Sequence, residues 1–194
     1  MLNKKNKKKK FINKYIEDFK SLILTDSHTI NKLIKVSELM IKSKKNKKKI
    51  IIAGNGGSAA ISSHFSVDLT KNAKIRSINF NEADLITCFS NDFGYENWLI
   101  NAIKFYCNKG DVLFLVSVSG KSKNMLNAAK YAKKYGIEKI VTFTGLKKNN
   151  PLSKSGDINF WVNSSSYNHV ENTHQFLLLL LVDLIIGKSV YKPN

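Results

Sequence analysis

Apolar residues recur at helical spacing over residues 11–42, with Phe11, Ile12, Tyr15, Ile16 and Phe19 followed by Ile30, Leu33, Ile34, Leu39 and Met40. The polar stretch 25–27 predicts a break between two helices. The lysine-rich stretch 42–49 predicts an exposed connector. Beyond it the pattern changes. Short apolar runs at 50–53, 74–78, 111–116, 138–143 and 158–162 predict strands. Between them, 58–71, 81–90, 95–107, 122–135 and 170–186 predict helices. Gly136 and Gly187 stand where C-caps belong. Strands alternating with helices predict βαβ units, hence an α/β fold with a parallel sheet covered by helices on both faces. No repeat is visible. Residues 11–194 read as one domain, and the lysine tract 1–10 reads as a tail too charged to pack and expected to be disordered.

Composition narrows the class. A chain of 194 residues with 43% hydrophobic content supports one domain with a buried core. The longest apolar run, Phe176 to Val182, ends at Asp183 and falls short of the about 20 residues that span a bilayer, so a buried helix is expected and no membrane partner. No secretory signal core follows the basic start. Cys88 and Cys107 have no metal-type spacing, and a reducing cytoplasmic setting is expected.

The net charge of +18 is what a nucleic-acid binder would carry. Its make-up points elsewhere. Arg76 is the sole arginine among 32 basic residues. Readers of nucleic acid favour the bidentate guanidinium. Abundant lysine, asparagine and isoleucine fit an AT-rich coding bias, so nucleic acid is not the expected partner. The same field draws anionic sugar phosphates toward the protein.

Two turns carry candidate chemistry. "AGNGGS" (53–58) ends a strand and opens a helix, with Asn55, Gly56, Gly57 and Ser58 at the bend. Glycines allow close backbone approach to an anion, and a helix N-terminus offers free N–H groups and positive dipole character. The turn lacks the P-loop lysine and does not match GxGxxG. The same residues also suit a tight turn with Ser58 as N-cap. "SVSGKSKN" (117–124) repeats the arrangement, with Ser117, Ser119 and Ser122 around Gly120. Both turns fall at C-terminal strand ends, where open α/β sheets bind ligands. Together they predict a site of sugar-phosphate size.

"GNGGSA", "SxSGxSxN" and the intervening "NDFGYEN" resemble the sugar isomerase (SIS) domain family, and within it the phosphoheptose isomerase branch. The resemblance covers roughly residues 11–188. It implies a flavodoxin-like five-stranded parallel sheet with N-terminal helices, and a homotetramer with active sites at subunit interfaces. It implies that Ser58, Ser117, Ser119 and Ser122 cradle the phosphate while Asn55 and Asp92 line the sugar. Val118 stands where the branch usually has threonine.

His64 and Asp68 lie four apart and share a helix face, as a functional pair or as a surface ion pair. The branch has His and Glu there. The resemblance makes the acidic residue the base that moves a proton between C1 and C2, and some members bind zinc through the pair. Glu171 and His174 share a face of the last helix. The branch has a second histidine eight residues beyond position 171, and here that position is Leu179. The expected catalytic residues are therefore Asp68, His174 and Glu171. The expected zinc set is His64, Asp68, Glu171 and His174. No nucleotide or organic cofactor is implied.

The expected activity is aldose–ketose isomerisation, sedoheptulose 7-phosphate to a heptose 7-phosphate for surface polysaccharide. The alternative is a non-catalytic phosphosugar-binding or interaction protein, of the kind that binds the replication initiator, which Leu179 favours. A third reading is a polyanion binder that uses the lysine tracts.

Overall fold

Each central strand carries two apolar sets, and the sheet sends them to opposite faces. The computed structural model describes residues 2–24 and 26–190. Its strands are β1 (Ile50–Gly54), β2 (Ser77–Ile78), β3 (Val112–Ser117), β4 (Lys139–Thr144) and β5 (Ile158–Trp161). They form one parallel sheet in the order β2-β1-β3-β4-β5. Ile50 and Ile52 of β1, with Phe114 and Val116 of β3, face one core; Ile51 and Ala53, with Leu113 and Leu115, face the other. Alternation with both faces buried is what a parallel sheet requires.

The first core is closed by α2 (Ser27–Lys45), α3 (Gly57–Lys71) and α8 (Tyr167–Ile186). The second is closed by α5 (Trp98–Tyr106) and α6 (Lys123–Tyr135), with α4 (Ala83–Phe93) leaning on α5. Two stacked aromatic contacts, Phe114–Phe143 and Phe143–Phe160, run across β3, β4 and β5. Helix α8 is long and apolar enough to cross a membrane by length and composition, with hydropathy 1.2. In the fold it buries Leu177, Leu178, Leu181 and Val182 in the first core.

Two expectations change. The lysine tract continues into helix, as α1 runs over Leu2–Ile23. Lysine is a good helix former, and Lys14–Asp18 and Glu17–Lys20 pairs support the helix farther along; Lys4 to Lys10 stay exposed. Met1 and Thr25, parts of the expected tail and break, lie outside the described residues. A short helix, α7 (Pro151–Ser155), appears where no element was expected. Its start is locally encoded: the Asn150 side chain accepts from Ser153 N–H at 2.9 Å and Pro151 follows the cap. His169 of α8 is buried and stacked on Tyr15 of α1 with ring centroids 4.0 Å apart.

Candidate active site

A sheet of order 2-1-3-4-5 has its switch point between β1 and β3, where the crossovers leave in opposite directions and a crevice opens. Both serine- and glycine-rich turns lie there. The first leaves β1 at Gly54, where an added Cβ would meet the Ser58 backbone at 2.6 Å. Gly56 takes φ +54° and is the N-cap of α3, without a side-chain cap. Ser58 is therefore not the cap. It sits one residue inside the helix, buried, and lines the crevice.

The second turn leaves β3 at Ser117. Gly120, at φ +62°, packs against the Asn150 side chain so closely that a Cβ would overlap it. Ser122 occupies the N-cap position of α6 but makes no side-chain capping bond. Its hydroxyl instead lies 3.3 Å from that of Ser117, and Ser119 Oγ accepts from Lys121 N–H at 3.3 Å. Two asparagines join the turns. Asn55 donates to Asn124 Oδ1 at 3.1 Å and Asn124 donates back to Asn55 Oδ1 at 2.9 Å. Tyr95, from the "NDFGYEN" segment, adds a hydroxyl donor to Asn55 Oδ1 at 3.2 Å.

The cavity between the turns measures about 140 Å³ and is lined by Asn55, Ser58, Ser117, Ser119, Ser122 and Glu171 among others. A water takes about 30 Å³ of liquid, so the space admits a phosphate-sized anion. The Glu171 carboxylate reaches over from α8 onto Gly57, where an added Cβ would lie 2.5 Å from one of its oxygens. Hence Gly57 is shaped for Glu171. Asp92 does not join them. It is exposed on the last turn of α4, where Asn91 donates to it at 3.0 Å.

His64 and Asp68 face outward on α3, with His64 Nε2 3.4 Å from Asp68 Oδ2. Asn72 donates to the other Asp68 oxygen at 3.2 Å. The expected role of His174 is corrected. Its ring is fully buried, edge-on to Phe143, and its Nε2–H donates to the Thr144 carbonyl at 3.1 Å. Burial drives its pKa down to about 4, so it is a neutral core residue. One position along α8 turns the side chain by about 100° round the axis, and Gln175 takes the place at the site. Its amide lies 3.3 Å from His64 Nδ1. Gln175 was missed because an amide carries no proton chemistry to draw attention in sequence; its position four after Glu171 is the signal that places it on the same face.

The expected zinc set is not assembled within the described residues of the chain. His174 points into the core. Glu171 rests on Gly57, seven residues before His64, about 10 Å along α3. Among the described residues no three His, Cys, Asp or Glu side chains are placed to hold a metal. The donors present do not fit zinc in the chain.

The profile of the SIS domain matches residues 11–145. A phosphoheptose isomerase of Sulfurimonas denitrificans is 31% identical over 192 residues, covering 94% of this chain and 97% of that one. The enzyme of the same description from Glaesserella parasuis is 33% identical, covering 84% and 86%. Among solved structures, a phosphoheptose isomerase from Francisella tularensis superposes with a TM-score of 0.82 at 24% identity, covering 92% of this chain and 98% of that one. One from Neisseria gonorrhoeae gives 0.80 at 21%, covering 96% and 100%. With its doubly wound five-stranded sheet and its two serine turns at the switch point, the chain belongs to the SIS domain family.

Proposed function

We propose that the chain is a phosphosugar aldose–ketose isomerase that interconverts sedoheptulose 7-phosphate and a heptose 7-phosphate, feeding heptose into surface polysaccharide. The observation that carries the reading is the convergence of Ser58, Ser117, Ser119 and Ser122 on one small cavity at the switch point, with Ser122 left uncommitted to capping. The description of the relatives as phosphoheptose isomerases supports the substrate class. Leu179 alone favours the non-catalytic alternative, and the relatives do not.

The chemistry needs an anchored phosphate, an open chain and one proton carried between adjacent carbons through an enediol. The serine hydroxyls and the positive end of α3 anchor the phosphate. A seven-carbon chain held at its C7 phosphate carries C1 and C2 away from the cradle, along the side where α3 meets α8. Glu171 lies at the start of that path and the His64–Asp68 pair lies two turns along it. Asp68 is the proposed base. His64 supports its charge from Nε2. No nucleotide or organic cofactor takes part in such a transfer.

Phe11, Ile12 and Ile16 of α1 expose apolar side chains. That exposure supports association with further copies of the chain; a homotetramer in which a neighbouring subunit covers the outward-facing His64 and Asp68 is what the family resemblance implies. The test is turnover of sedoheptulose 7-phosphate followed by proton NMR. Appearance of the aldose is the expected result. Phosphosugar binding without turnover sinks the reading.

A further inference from the structure

The His64–Asp68 pair has a third member. We propose that Gln175 is the positioning residue of the pair, and that it sets the tautomer and the direction of the His64 ring. The inference rests on the reading of the pair as the proton-transfer group. Gln175 Nε2 lies 3.3 Å from His64 Nδ1, and His64 Nε2 lies 3.4 Å from Asp68 Oδ2. An amide N–H at Nδ1 requires that nitrogen to carry its lone pair. The imidazole proton is then on Nε2, facing the carboxylate. The opposite tautomer puts the Nε2 lone pair against a carboxylate oxygen and an N–H against an N–H. Both contacts are satisfied together in one arrangement of the neutral ring.

Within the single chain little else holds the ring. The His64 side chain is 49% exposed, and free rotation about its terminal bond would take Nε2 off Asp68. Gln175 comes from the facing helix, so the contact ties the ring direction to the packing of α3 on α8. Its neighbours a turn away on the same face are Glu171 and Leu179. Glu171 is drawn to Gly57 and leucine has no polar atom, so Gln175 is the polar group of that face that meets the ring. Asp68 is held from its other side by Asn72. The result is a chain of groups, Gln175 to His64 to Asp68 to Asn72, in which each proton has one place.

The test is imidazole NMR on the full-length protein labelled with 15N-histidine, at a pH above the ordinary imidazole range. His64 is assigned among the four histidines by the His64→Gln spectrum. The wild-type signal is expected to be that of the Nε2–H tautomer. Gln175→Leu is expected to give a mixture of tautomers. It should lower kcat on the order of 10-fold to 100-fold with KM for the phosphosugar little changed, as misdirection of a reacting group does. Gln175→Glu, equal in size but only an acceptor when ionised, is expected to move the proton to Nδ1. Unchanged His64 signals in both variants overturn the proposal. Altered tautomers with full turnover leave the positioning intact and overturn the reading of the pair as the proton-transfer group.

Discussion

Asn55 and Asn124 exchange amide hydrogen bonds of 3.1 and 2.9 Å, one residue from the end of β1 and the other from the first turn of α6. This reciprocal pair holds the two serine turns at a fixed separation. The cavity width between Ser58 and Ser122 depends on it. Asn124 is 2% exposed and makes two bonds to Asn55, so its loss leaves the half-buried Asn55 with the Tyr95 hydroxyl alone. Asn124→Ala should cost about 1–3 kcal/mol of stability, read by urea unfolding. It should also weaken phosphosugar binding more than it slows turnover of bound substrate. Calorimetric titration against steady-state kinetics separates the two, and a variant with unchanged affinity removes the clasp from the argument.

Gly57 and Glu171 lead to a different expectation. Gly57 has an ordinary helical conformation, so alanine fits the backbone and trims the entropy of the unfolded chain. Its methyl group, however, would occupy the place of the Glu171 carboxylate, 2.5 Å away. Gly57→Ala should keep or slightly raise the melting temperature while kcat falls on the order of 10-fold or more. Activity equal to wild type shows that Glu171 works from another position.

The turns were legible in sequence because their chemistry is local. Glycine and serine at a strand-to-helix bend need no knowledge of the rest of the fold, and both turns land at the switch point. The last helix was harder to read. His174 and Gln175 are adjacent in sequence, and only the rotation of α8 against β4 decides which one meets α3 and which enters the core. That rotation follows from the packing of Leu177, Leu178 and Leu181, in a run so uniformly apolar that it marks no preferred face. Asp92 is a matter of longer-range placement: its motif reaches the site through Tyr95, while the carboxylate lies exposed on the last turn of α4.

His174 makes stability depend on pH in a stated direction. Its folded pKa of about 4 lies below the ordinary 6.5, so the unfolded chain takes up a proton that the folded chain refuses. The stabilisation is complete above pH 6.5 and is lost as pH falls from there toward 4. The total is about 3 kcal/mol for a shift of that size. Urea midpoints measured between pH 8 and pH 4 should fall for the wild type and fall less for His174→Gln. Parallel curves for the two proteins assign the loss to other groups.

Leu179 bears on the metal. It stands one turn beyond Gln175, partly buried on the same face of α8, and contributes no donor. His64 and Asp68 are then two protein ligands where a zinc site takes three or four, and Glu171 is held away at Gly57. Turnover of sedoheptulose 7-phosphate should therefore survive exhaustive chelation, and elemental analysis of the dialysed protein should find zinc well below one per chain. Leu179→His places an imidazole next to the pair and supplies the missing donor. That variant should retain zinc through dialysis, in competition with a chromogenic chelator, whether or not its rate changes. Wild-type turnover that disappears with chelator and returns with zinc would mean that a ligand from a neighbouring subunit completes the site.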